Sequence, residues 1–279
     1  VAIAVALAIW AAFRLQWVTV GPALATPSIV RDFWKPVLDS SQPVAICVAQ
    51  PVHVWLRDYH DAVPPKGQYQ PLDARLPEGG ALQEYYRVRT GRLPSANLVF
   101  HPSPNSLLWG DSAGASGAVK FLESQRVSSE LLPESTLRNS YPLKGRNALV
   151  FGREEFSELV KELTPGGGYR QTYLDAERRY AIVHEGDPRL RFYNSPRTDL
   201  ENFGLITVSR SATELQAVFS GITSDGAQAG IDFLTSAAGL ERIYREFGSK
   251  WPVKFQVVVR TRSINGYPMK TEYAAKHVF

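Results

Sequence analysis

The feature that most constrains this chain is PVAICVAQP, residues 43 to 51, an unbroken apolar run closed at both ends by proline. Side chains alternate between the two faces of a strand, so a strand that is apolar throughout needs a covering layer on each face. The run therefore predicts an inner strand of a covered sheet.

Downstream segments supply the layers. Residues 61 to 80 hold Pro64, Pro65, Pro71, Pro77 and Gly79-Gly80 and read as a surface excursion, followed by weak strand-like alternation over 83 to 89. Asp111 is placed to cap a helix running to about Gln125, with Val119, Phe121 and Leu122 turned inward. ALVFG (148 to 152) reads as a strand, and EEFSELVKEL as the helix after it, with Phe156, Leu159, Val160 and Leu163 at helical spacing.

Beyond the breaker PGGG, three β-like stretches near 169 to 173, 180 to 184 and 190 to 193 suggest antiparallel hairpins. FGLITVS and LQAVFSG are strands, and 226 to 247 is a helix with Ala227, Ile231, Leu234, Leu240 and Tyr244 inward. KFQVVVRTRS and KTEYAAKHVF flank Asn265-Gly266 as a closing hairpin. The expected fold is an α/β three-layer sandwich with a mixed, Rossmann-like central sheet and added antiparallel hairpins, preceded by an N-terminal membrane helix.

That helix is read from VAIAVALAIWAAF, residues 1 to 13, which carry no charge before Arg14. Thirteen helical residues reach about 20 Å against a hydrocarbon core of about 30 Å. With Arg14 snorkelling, residues 1 to 20 just cross, with Trp10 and Trp17 near an interface. A signal-peptide remnant and a buried core helix are the alternatives. The expected organisation is an anchor at 1 to 20, a proline-containing stalk at 21 to 31 and one α/β domain over 32 to 279, membrane-anchored and facing the extracytoplasmic (periplasmic) side.

The formal charge is +4 and the bases are interspersed with acids, which argues against a nucleic-acid partner. The single Cys47 lies in the apolar run and reads as a small buried side chain. No GxGxxG follows the first strand and no GxxxxGK[ST] occurs, so no nucleotide cofactor is indicated. Five histidines, His53, His60, His101, His184 and His277, show no metal-ligand spacing. His184, Glu185 and Asp187 cluster in a turn and read as solvated polar residues, with an acid–base pair as the alternative. Trp34, Trp55, Tyr59, Tyr85 and Tyr86 read as core and rim packing, a pocket lining being the alternative.

In open α/β sheets ligands gather beyond the carboxyl ends of the strands. That nominates Gln50, Asp111, Gly152, Arg153, Gly221, Ser224 and Asp225 as a ligand-binding crevice. Glu154 and Glu155 at one helix start and Asp225 at another repel phosphate there. Ser224 in GITSDG reads as part of a turn in which Asp225 caps the following helix, with a serine nucleophile as the alternative. No catalytic set, resident cofactor or metal site is expected.

DFWKPVLDSSQPVAICVAQP, LLWGDSAGASGAVKFL, NALVFG, NFGLITVS, GITSDGAQAGIDFLTSAAGL and WPVKFQVVVRTRSINGYP cover most of the domain in order. Together they resemble a family of uncharacterised bacterial membrane-anchored proteins, frequent in acidobacteria. Some members look like sensors or regulators with an N-terminal DNA-binding module. Where that family usually has an Asn-rich turn with an aromatic, this chain has Arg153, Glu154 and Glu155, and Ser224-Asp225 stand where extra glycine is common. The apolar segment, the stalk and the strand-end crevice point to a noncatalytic sensor-like or ligand-binding domain for a small molecule; the altered turns on a retained scaffold point instead to an accessory subunit of a membrane protein complex.

Overall fold

The computed structural model describes residues 26–50, 53–58, 70–71, 77–94, 98–103, 107–134, 137, 139–155, 157–174, 177, 179–194, 201–264 and 267–279. Helix α1, Ser28–Leu38, buries Val30, Phe33, Trp34 and Val37, the spacing of one helical face. The indole Nε1 of Trp34 donates to the Leu234 carbonyl at 3.0 Å, which keeps this large ring satisfied inside the core. Of the stretch read as a stalk over 21 to 31, Ser28 to Arg31 are helical, and residues 21 to 25 lie outside the described residues.

Strand β1, Val44–Val48, is buried along its whole length. Val44, Ile46 and Val48 enter one cluster, Ala45 and Cys47 another on the opposite face. This is the two-sided burial that PVAICVAQP requires. An excursion follows, comprising β2 (His53–Asp58), β3 (Gln70–Pro71), helix α2 (Pro77–Thr90) and β4 (Leu98–Ser103), with sheet order β2-β4-β3. The weak alternation at 83 to 89 is helical in the structure.

Helix α3, Trp109–Ser124, returns the chain to β5, Ser129–Pro133. Next come β6 (Ala148–Phe151) and the short helix α4 (Glu158–Leu163). Strands β7 (Tyr169–Leu174), β8 (Arg179–His184) and β9 (Asp187–Phe192) form the expected antiparallel hairpins, in a sheet of order β7-β8-β9. Then follow β10 (Glu201–Arg210), β11 (Leu215–Gly221), α5 (Ser224–Thr235), α6 (Ala237–Glu246), β12 (Lys254–Ile264) and β13 (Tyr267–Val278). The single helix expected over 226 to 247 is two helices. Ser236 breaks it, ending α5 and capping α6 by accepting the Gly239 amide at 3.0 Å.

The seven-stranded central sheet has the order β13-β12-β10-β11-β6-β1-β5. Strands β5, β1, β6 and β11 run parallel, whereas β10, β12 and β13 add antiparallel pairs, so the sheet is mixed. One face packs against α1, α3, α5 and α6. The other carries α4 beneath the parallel half and the β7-β8-β9 sheet beneath β10 and β12. Gln256, fully buried on β12, fastens that second layer: its amide oxygen accepts from Tyr169 N at 2.6 Å and its NH2 donates to Tyr169 O at 3.0 Å. One side chain satisfies both backbone groups where β7 meets the sheet.

The expected sandwich and mixed sheet stand, and the expected membrane helix is corrected. Among the described residues no helix is long and apolar enough to cross a membrane. Residues 1 to 20, on which that expectation and the extracytoplasmic, membrane-anchored location rested, lie outside the described residues. The physical weakness is Arg14, which cuts the uncharged run to about 20 Å, short of a bilayer core of about 30 Å.

Candidate functional site

Strand β1 passes through α3 to β5 on one side, whereas β6 leads away toward α4 and the opposite half of the sheet. Beyond the carboxyl ends of β1 and β6 the strand order reverses, which is where open α/β sheets take ligands. The loops Ala49-Gln50 and Gly152-Arg153 meet there, and the N-termini of α3 and α5 close over them.

Gly152 makes the meeting possible. Its φ is +151°, and a Cβ there would overlap the Cβ of Ala49. Gly152→Val is therefore expected to destabilise by on the order of 2–4 kcal/mol, from crowding added to backbone strain. Gly145 is the control: its φ is +74° but a Cβ would meet nothing within 4 Å, so Gly145→Ala should cost about 1 kcal/mol. Urea unfolding of both variants checks the difference, and equal losses would show that the two loops do not touch.

Four backbone amides at this edge are already engaged. Ala49 N donates to Phe151 O at 2.8 Å, Gly152 N to Phe219 O at 3.0 Å and Ile222 N to Phe203 O at 3.0 Å. Gly110 N, at the start of α3, donates to the Ser224 hydroxyl at 3.1 Å. These are the donors a phosphate would need. Ser224 thus ties the two helix starts together, a structural use of the residue considered as a nucleophile.

Asp111 sits differently from its expected role. Helix α3 begins at Trp109 with Leu108 at the N-cap position, so Asp111 lies inside the first turn, only 1% exposed. One turn later Gly114 packs on the ring of Phe151, the last residue of β6. That spacing turns Asp111 toward the loop after β6. Neither carboxylate oxygen has a hydrogen-bond partner among the described residues. Burial pushes its carboxyl up to about 7, with Arg153 pulling the other way.

Arg153 links this acid to its surroundings. Its Nη1 donates to Ile222 O at 3.4 Å and stands 3.8 Å from Glu155, and its guanidinium lies 5.3 Å from the centre of the Tyr180 ring. Tyr180 and Glu155 belong to an adjoining cavity of about 310 Å³, walled also by Glu154, Gln171 and Tyr173. Tyr180 donates to Glu155 at 2.5 Å, and its hydroxyl is pushed up to about 12 by burial and then by that carboxylate. Both polar atoms of the Gln171 amide are buried without a partner among the described residues.

Glu154 and Glu155 are not first-turn acids of a helix as the sequence suggests. Helix α4 starts only at Glu158, behind Ser157, whose hydroxyl accepts from Val160 N at 3.0 Å. Glu154 instead takes two hydrogen bonds from Arg170, at 2.9 and 3.1 Å, and its burial raises its carboxyl pKa. A larger cavity of about 400 Å³ lies at the opposite, amino end of β6 and β11, lined by Ser140, Glu162, Glu214 and Gln216 among others. Its polar groups bond one another, Ser140 to Glu162 and Gln216 to Glu214, whereas the cavity at the carboxyl ends keeps the Gln171 amide without a partner among the described residues, which makes it the stronger binding candidate.

Of the seven residues nominated, Gln50, Asp111, Gly152, Arg153 and Ser224 surround the switch point. Gly221 is sealed in a tight turn, where a Cβ would crowd Thr223 and Gly226. Asp225 is not the cap of α5: Thr223 holds that position and Asp225 lies in the first turn. Burial raises the Asp225 carboxyl pKa, and the Ser263 hydroxyl on β12 counters the rise.

The sequence reading also missed a pair. His184 and His277 approach to 3.0 Å across β8 and β13, with no local signal, because they are 93 residues apart. Trp34 is core, as expected, and Tyr86 is partly buried, whereas the side chains of Trp55, Tyr59, Tyr85, His53, His60 and His101 lie outside the described residues. Among the described residues no group of three or more His, Cys, Asp or Glu side chains is arranged to hold a metal ion. Burial drives the Cys47 thiol up to about 12, so it is a poor nucleophile.

No family model, curated protein or solved structure matches the chain.

Proposed function

We propose that this domain binds a small polar ligand that donates hydrogen bonds, at the carboxyl edge of the parallel strands, in a sensor-like rather than catalytic role. The observation that carries the reading is Asp111. A buried polar group left without a partner costs about 1–3 kcal/mol, so a protein keeps one where something else satisfies it. A ligand hydroxyl, amide or amine supplies the missing donor. Arg153, whose charge acts on this acid, lies against Tyr180 in the wall of the neighbouring cavity, and there the Gln171 amide offers further hydrogen bonding.

The same geometry disfavours phosphates, because four of the edge amides are engaged and two carboxylates, Glu154 and Glu155, line the cavity against the single lysine Lys161. Thermal shift at pH 8 with inositol, spermidine and ATP as probes, on the native chain and on Asp111→Asn, tests the reading. Stabilisation by inositol or spermidine that is lost in Asp111→Asn supports it; at a hundred times Kd a ligand adds about 2.7 kcal/mol. Stabilisation by ATP, or by any probe equally in both proteins, contradicts it.

A further inference from the structure

The rings of His184, at the end of β8, and His277, on β13, meet with centroids 4.9 Å apart, and Nε2 of His184 faces Nδ1 of His277 at 3.0 Å. Nδ1 of His184 has two other neighbours: it accepts the amides of Gly186 and Asp187, both at 3.1 Å. A ring nitrogen that accepts carries no proton. The proton of His184 is therefore on Nε2, from which it is donated to Nδ1 of His277, and His277 carries its own proton on Nε2. One tautomer pair satisfies the whole set, and both rings in it are neutral.

A second proton has nowhere to go. On His184 it would occupy Nδ1 and point at two amide hydrogens; on His277 it would occupy Nδ1 and point at the N–H of His184. A transition metal on Nε2 of His184 would demand the same forbidden tautomer. We propose that the His184–His277 pair is a pH-sensitive latch, closed while both rings are neutral and opened when either takes a proton, which frees the β8–β9 turn from β13.

The groups around the pair have their own partners. Glu185, in the turn, accepts from the Gly167 amide and from Arg170 on β7. Asp187 on β9 is bonded by Arg189. From β7, Tyr169 presents its ring 4.8 Å from that of His184. Just past the end of β13, Phe279 stacks edge-on against His277 at 4.6 Å, and Lys254 of β12 lies over the Phe279 ring. Lys276 is turned to Glu246 of α6. Burial, and then the neighbouring His184, lower the pKa of His277.

For a base held below its unfolded value, the contribution to stability is complete above that value, about 6.5, and is lost as pH falls through the folded one. Opening would loosen the strands that carry Gln171, Tyr173 and Tyr180, so acid would disturb the cavity wall. The latch does not depend on whether that cavity holds a ligand.

Nitrogen-15 NMR of the imidazoles in the full chain between pH 8 and 5, with amide exchange at Gly186 and Asp187, tests the proposal. Expected are neutral rings at pH 7.5 with His184 protonated on Nε2, titration below about 6.5, and protection of the two amides falling about tenfold per pH unit beneath the midpoint. In His184→Leu, which removes the N–H that points at Nδ1 of His277, the midpoint of His277 should rise toward the ordinary histidine range. A proton on Nδ1 of His184 at pH 7.5, protection that does not change with the titration, or an unshifted His277 midpoint in His184→Leu would each overturn it.

Discussion

Ile46→Asp is expected to abolish the cooperative unfolding transition. Ile46 is 0% exposed on β1, directly between Leu131 of β5 and Leu149 of β6, in the cluster that also holds Trp34 and Phe151. A carboxylate there has no partner and no water, a cost of several kcal/mol against a total stability of about 5–15 kcal/mol. Leu131 is the control, because it sits at the same level on the edge strand yet is 64% exposed. Leu131→Asp should change stability by no more than about 0.5 kcal/mol. Circular-dichroism melts decide the matter: an unchanged midpoint for Ile46→Asp would remove β1 from the centre of the sheet.

The second large effect is at Asp111, and its sign depends on pH. The carboxyl is raised from 3.8 to about 7, so the folded chain keeps a proton that the unfolded chain has released. Its contribution to stability is complete below 3.8 and is lost as pH rises through about 7. Asp111→Asn removes that titration at nearly constant shape. The variant should gain on the native chain by on the order of 2–4 kcal/mol between pH 4 and pH 8. Denaturant unfolding at the two pH values measures it. A difference between variant and native that stays constant with pH would mean that the acid is solvated or bonded.

The two titrations have opposite signs. Asp111 weakens the fold as pH rises from 3.8 to about 7, whereas the histidine latch weakens the β7-β8-β9 layer as pH falls below about 6.5. The Asp111→Asn variant is therefore needed to separate them.

How much of this was legible in the sequence depended on range. β1 and the parallel strand β6 were readable because two-sided burial forces a continuous apolar run, which no surface strand shows. The hairpins β7 to β9 were readable from Gly-rich turns and alternating residues. Helix boundaries were not, because they answer to tertiary contacts. Asp111 has the residue type of a cap, but Gly110 and Gly114 let α3 pack so closely on α5 and Phe151 that the helix starts earlier and the acid is drawn inside. The small-residue string GDSAGASG was the available signal of that close approach. Similarly, the break at Ser236 lies among Ala and Gly residues that keep the helical pattern alive, and only the bond to Gly239 N reveals the new cap.

The candidate site was half legible for the same reason. The rule that ligands gather at strand ends located Gln50, Gly152 and Arg153 without any structure. What it could not supply was the partner of each acid. Glu154 and Glu155 look like helix-start charges, yet their bonds run to Arg170 and Tyr180, 16 and 25 residues away on another sheet. His184 and His277 meet only through the pairing of layers, and spacing along the chain holds no trace of it.

The most direct measurement is a carbon-13 NMR titration of the Asp111 carboxyl in the native chain, repeated with the compound that stabilises it most. A midpoint near 7 in the free protein, displaced when the compound binds, is the expected result. A midpoint near 3.8, unaffected by any compound that binds, would contradict the assignment of this edge as a ligand site built around a buried, unpartnered acid.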